Sequence, residues 1–147
     1  MGETRIQLCG PLVARVEGVR IEERLPGRQG RLLFAYLAHE RRSPTRQELV
    51  ELLWGDLPPD GADSALSALL SKLRRVVRLE GRQTVRLVAA AWVDAHAARE
   101  ALHRAETAVA RQDWAAAWGP ARVAQHICER PFLVDEDAPW VEDRRRA

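Results

Sequence analysis

The chain has 147 residues, 46% apolar and 30% charged, with a formal charge of +2; these proportions suit globular domains and argue against a disordered polypeptide. No stretch approaches the ~20 apolar residues of a membrane span, and MGETRIQLCG lacks the apolar centre of a secretion signal, so a cytoplasmic location is expected. Residues 1–90 carry 15 Arg/Lys and 11 Asp/Glu, a net of +4, while residues 91–147 carry 8 and 10, a net of −2. That polarity suits a unit that meets nucleic acid joined to one that meets protein.

Ile6 and Leu8, then Leu12, Ala14 and Val16, then Val19 and Ile21 alternate as half-buried strands. Glu17-Gly18 supplies a tight turn between the last two. Gly27 and Gly30 in PGRQGR lack the Lys-Ser/Thr of a phosphate-binding loop and read as the entry to a helix. Leu32, Leu33, Phe34, Ala35, Tyr36, Leu37 and Ala38 are apolar on every side of that helix, as a central, packed element requires. Thr45 with Glu48 fits a capping box, and Leu49, Leu52 and Leu53 give the short helix that follows a narrow apolar stripe.

A Pro/Gly-rich turn leads into a longer helix whose Leu66, Leu69, Leu70, Leu73 and Val77 recur with the period of one buried face. Its opposite face holds Ser64, Ser67, Ser71, Lys72, Arg74, Arg75 and Arg78, with no carboxylate between Asp63 and Glu80. Solvated faces of ordinary helices usually mix signs, so this strip suits a helix laid in the major groove. On that reading Ser64, Ser67 and Ser71 face base edges, and Lys72, Arg74, Arg75 and Arg78 hold phosphates or reach guanine. Thr45 and Arg46, at the start of the preceding helix, take a backbone phosphate. Glu80-Gly81 then turns the chain into Thr84–Val88, a wing strand with Arg82 and Arg86 as further contacts.

The second half reads as a helical hairpin. Asp94 serves as an N-cap, and Ala98, Ala101, Leu102, Ala105, Ala108 and Val109 mark one face of a helix running to about Arg111. Asp113 caps the next helix, with Trp114, Ala117, Trp118, Ala121 and Ala124 facing back, and Gly119-Pro120 is expected to kink or break it. Small Ala faces allow close approach as in TPR-type stacks, with Trp92, Trp114, Trp118 and Trp140 filling the wider gaps. Pro139 falls in the first turn of a third helix.

Chemistry-bearing constellations are missing. His96 and His103 lie about 10 Å apart along one helix, too far to share a metal directly. His39 is alone, and His126 and Cys128 point apart in a helix. Cys9 and Cys128 fall in different halves, so reduced core thiols are expected. Neither an enzyme nor a cofactor is indicated.

Taken together, the N-terminal strands, GRQGRLLFAYLA, TRQELVELLWGDLPPDGADSALSALLSKLRR, WVDAHAAREALHRAE and RPFLVDEDAPWVEDRRRA resemble the SARP/AfsR-type transcriptional regulators over nearly the whole chain. The most specific pieces are ELLWGDLPPDGADSAL and DAPWVEDRRR. The resemblance implies an α+β fold: an OmpR-like winged helix-turn-helix with an antiparallel sheet at residues 1–93, then a partial, all-α TPR-like activation domain at 94–147. It also implies double-stranded DNA as partner, binding to direct repeats near a promoter, and contact with RNA polymerase. Leftover apolar surface on the helical unit is expected to meet a partner protein, a second copy of the chain or further helices. Ser64, Ser67 and Ala68 stand where many members carry longer base readers, and the wing lacks the usual Gly-Tyr. A module that keeps the fold but contacts protein or ligand instead of DNA is the alternative.

Overall fold

The computed structural model describes residues 2–88 and 90–147. In chain order its elements are β1 (Arg5–Gln7), β2 (Val13–Val16), β3 (Val19–Arg20), α1 (Gly27–His39), α2 (Arg46–Trp54), α3 (Ala62–Arg74), β4 (Leu79–Glu80), β5 (Arg86–Leu87), β6 (Trp92–Val93), α4 (Asp94–Ala110), α5 (Trp114–Cys128) and α6 (Pro139–Arg146). Contacts divide the chain into two compact units, Met1–Thr4 with Val13–Ala91 and Arg5–Leu12 with Trp92–Ala147.

The first unit is a winged helix-turn-helix. β2 and β3 pair antiparallel around a turn in which Glu17 has φ 51° and Gly18 φ 85°, the paired positive φ of a type I′ hairpin. α1 is the hub: Leu32, Leu33, Phe34, Ala35, Leu37 and Ala38 are all buried, and both α2 and α3 pack on it. Thr45 Oγ1 accepts from the Glu48 amide at 3.1 Å, which starts α2 as its capping sequence predicts. The Glu48 carboxylate does not complete the box and pairs with Arg42.

α3 buries Leu66, Leu69, Leu70 and Leu73, each contributing about 1.5–3 kcal/mol by leaving water. β4 and β5 then form the antiparallel hairpin of the wing. Gly81 sits at its turn with φ 98°, where a Cβ would fall 1.8 Å from the Thr84 carbonyl oxygen, so only glycine fits. The residues before α2 hold this hairpin: Val85 N donates to Pro44 O at 3.0 Å, and Arg46 N donates to Gln83 O at 3.1 Å.

The second unit is built on the TPR-like hairpin of α4 and α5, joined by a short loop in which Gln112 has φ 60°. Ala98, Ala101, Ala105 and Ala108 of α4 and Ala117 and Ala124 of α5 are buried. β1 runs parallel to β6, a strand that sequence periodicity does not reveal. On its other side the segment meets the loop before α6: Leu133 N donates to Leu8 O and Gly10 N to Pro131 O, both at 2.7 Å. Arg145 closes that loop by donating to the carbonyls of Phe132, Leu133 and Glu136.

Four expectations need correction in this unit. Asp94 is the first residue of α4, not its cap, and it is buried, 2% exposed. Trp114 and Trp118 are 64% and 68% exposed, because the close α4–α5 seam admits alanine and excludes indoles. α5 runs unbroken through Gly119-Pro120; the carbonyl that Pro120 leaves without a donor belongs to Ala116, which is exposed to water. Cys128 is exposed, whereas Cys9 is buried and its thiol pKa is pushed up to about 12 by burial and by the neighbouring Asp94 charge.

Candidate nucleic-acid interface

Helical geometry sorts the outward residues of α3. With successive residues about 100° apart, the buried leucines define one side, and Ser64, Ser67, Ala68, Ser71 and Arg75 occupy the opposite side. All five are exposed. Lys72 and Arg74 lie on the two flanks. Lys72 borders an open cleft of about 470 Å³ with Pro26, Gly27, Arg28, Gln29 and Leu69. Arg74 leans toward the wing, and its Nη2 donates to the Gly81 carbonyl at 3.1 Å. Arg78, just past the helix, is exposed too.

The basic groups therefore fall into two sets. Lys72, Arg75, Arg78 and Arg82 are exposed and make no ion pair among the described residues, so their charge is available to phosphate. The others are engaged: Arg74 with the wing turn, Arg86 with Glu80 across the hairpin, and Arg46 with α3. Arg46 Nε donates to Asp63 Oδ1 at 3.0 Å, and its Nη2 donates to Ser67 Oγ at 2.6 Å. Thr45 is exposed beside Thr84, so the start of α2, the start of α3 and the wing converge on one surface.

Sequence reasoning missed the Arg46–Asp63–Ser67 contact. Arg46 lies on α2 and Asp63 and Ser67 on successive turns of α3, and no local spacing signals the meeting of the two helices. The weaker clue was Asp63 itself, an acidic residue at the edge of an otherwise basic strip.

No family model matches the chain. The chain is 30% identical over 150 residues to the regulatory protein AfsR of Streptomyces coelicolor, an alignment covering 98% of this chain. In structure it superimposes on Mycobacterium tuberculosis EmbR, solved in complex with a low-affinity phosphopeptide, with a TM-score of 0.82 over 99% of this chain and 22% identity. Over nearly its whole length the chain is thus similar to a regulator of the SARP/AfsR type. It spans about 15% of the length of AfsR and 41% of the EmbR chain. At 22% identity the EmbR likeness speaks for the fold, an α+β winged helix followed by helices. No described helix is long and apolar enough to cross a membrane.

Proposed function

We propose that the chain is the DNA-binding portion of a transcription regulator, with the winged-helix part of residues 1–93 on the duplex and the helices of 94–147 as its protein-contacting appendage. The observation that carries this reading is the outward face of α3: an exposed strip from Ser64 to Arg78 without a carboxylate, on a helix whose other side is fully buried. In the major groove Ser64, Ser67 and Ser71 meet base edges, while Lys72, Arg75 and Arg78 hold phosphates on either side. Arg82 extends the grip along the wing, and Thr45 lies nearby, while Arg86 joins only by leaving its pairing with Glu80. The likeness to SARP/AfsR-type regulators supports action at promoter-proximal repeats, as an activator that engages RNA polymerase. Catalysis, a cofactor and a metal have no place in the reading.

Fluorescence anisotropy against genomic duplexes at several salt concentrations tests it. With about five phosphates contacted, log K should fall against log salt with a slope near −4.5. A folded chain that binds no duplex at low salt refutes the proposal. It would favour the module that contacts protein, which the short side chains of Ser64, Ser67 and Ala68 and the exposed Trp114 and Trp118 suit better.

A further inference from the structure

The guanidinium of Arg46 reaches from the first turn of α2 to the first turns of α3. Besides its bond to the Asp63 carboxylate, its Nη2 donates to the Asp63 carbonyl oxygen at 3.1 Å and to Ser67 Oγ at 2.6 Å. A guanidinium has donors only, so the Ser67 oxygen is the acceptor and its own proton must point elsewhere. A serine inside a helix ordinarily returns that proton to the carbonyl four residues back, which for Ser67 is Asp63 O. That oxygen has two lone pairs. In the continuous helix Ala62–Arg74 one of them faces the Ser67 amide, and Arg46 occupies the other. With the internal acceptor filled and Ser67 exposed, the hydroxyl proton is turned outward.

We propose that Arg46 is a positioning residue that fixes Ser67 as an outward hydrogen-bond donor, so that α3 selects an acceptor-bearing base edge opposite Ser67. The inference rests on the DNA-binding reading above and adds the rule by which one position of the site is read. In the major groove guanine presents N7 and O6, adenine N7 and thymine O4, whereas cytosine presents only its amino donor. Cytosine is therefore the base excluded opposite Ser67. Accepting from a charged N–H polarises the hydroxyl and strengthens its donation. Arg46 itself then grips no phosphate, since its Nε and Nη2 are committed within the protein.

The test uses the full chain as wild type, Ser67→Ala, Arg46→Met and the double variant. Sites selected by the wild type from a random duplex library should show one position depleted of cytosine. Placing cytosine there should weaken wild-type binding about three- to tenfold, the worth of one hydrogen bond. That discrimination should vanish in Ser67→Ala, in Arg46→Met and in the double variant alike, with the salt slope unchanged in each. Retained discrimination in Arg46→Met overturns the proposal, as does a slope lowered by about 0.9, the signature of a lost phosphate contact. If Arg46→Met does not stay folded, Arg46→Gln, too short to cover both Asp63 O and Ser67, takes its place with the same expectation. A wild type that binds no duplex refutes the DNA reading and this inference with it. Wild-type binding whose cytosine discrimination survives Ser67→Ala refutes this inference alone.

Discussion

Replacing Asp94 by alanine should unravel the attachment of the 5–12 segment to the C-terminal helices. The Asp94 carboxylate accepts from Leu8 N at 2.7 Å, Cys9 N at 3.0 Å and Ala95 N at 2.7 Å. Ala95 is only half-buried, so water can replace the carboxylate there, but Leu8 and Cys9 are 0% and 6% exposed and their amides have no such recourse. Two stranded donors cost about 1–3 kcal/mol each. Removing the buried charge recovers part of its desolvation, which leaves a net loss of about 3 kcal/mol. For a unit of this size that corresponds to a fall in Tm on the order of 15 °C. Asp94→Asn should do little better, because its amide would point a donor at one of the two strand donors. Urea titrations followed by circular dichroism at 222 nm measure the loss. Less than about 0.5 kcal/mol in both variants would refute the account, since it would mean that the strand amides find other acceptors when the carboxylate is gone.

Two further outcomes separate faces and thiols. Arg75→Ala with Arg78→Ala should lower the salt slope of DNA binding by about 1.8, two contacts at 0.9 each, with little change in Tm; Leu69→Asp, placing an unpaired charge at a residue 9% exposed, should cost several kcal/mol and unfold the first unit. Equal destabilisation by both would show the faces of α3 to be wrongly assigned. Iodoacetamide at pH 8 should label one thiol per native chain, Cys128; Cys9, buried and with its pKa raised to about 12, stays protonated below that pH and should react only after denaturation. Rapid labelling of two thiols in the native chain would contradict the burial of Cys9.

What the sequence makes legible is what local spacing encodes. The Glu17-Gly18 turn, the Thr45 cap and the leucine stripe of α3 each depend on residues within a few positions of one another, and each forms as periodicity and propensity predict. The roles of Asp94 and Arg46 depend on partners 86 and 21 residues away along the chain, and local spacing sets neither. The tryptophans of α5 show a third kind of failure. Trp114 and Trp118 share a helical stripe, but Ala117 and Ala124 define a neighbouring one, and the seam formed on the side where backbones approach most closely. Composition favoured burying the largest apolar groups, whereas shape complementarity between two Ala-lined helices decided the matter. For the candidate interface, the outward positions of α3 could be read directly from its period. Which of its cations are already spoken for could not, because Arg74, Arg86 and Arg46 find their partners through the fold.

The placement of residues 5–12 among the C-terminal helices carries a cost during synthesis. These residues leave the ribosome well before Asp94, which holds Leu8 and follows 86 residues later. Closing a flexible loop of that length costs about 4 kcal/mol of chain entropy, and prior folding of residues 13–91, a compact unit, would reduce it. At roughly 5–20 residues per second the Leu8 and Cys9 amides wait about 4–17 s for the Asp94 carboxylate, while Ile6 and Leu8 lie in an extended, aggregation-prone stretch. Arg5 and Gln7 alternate with those apolar residues, and a charge and an amide there oppose edge-to-edge association while the rest of the chain is made.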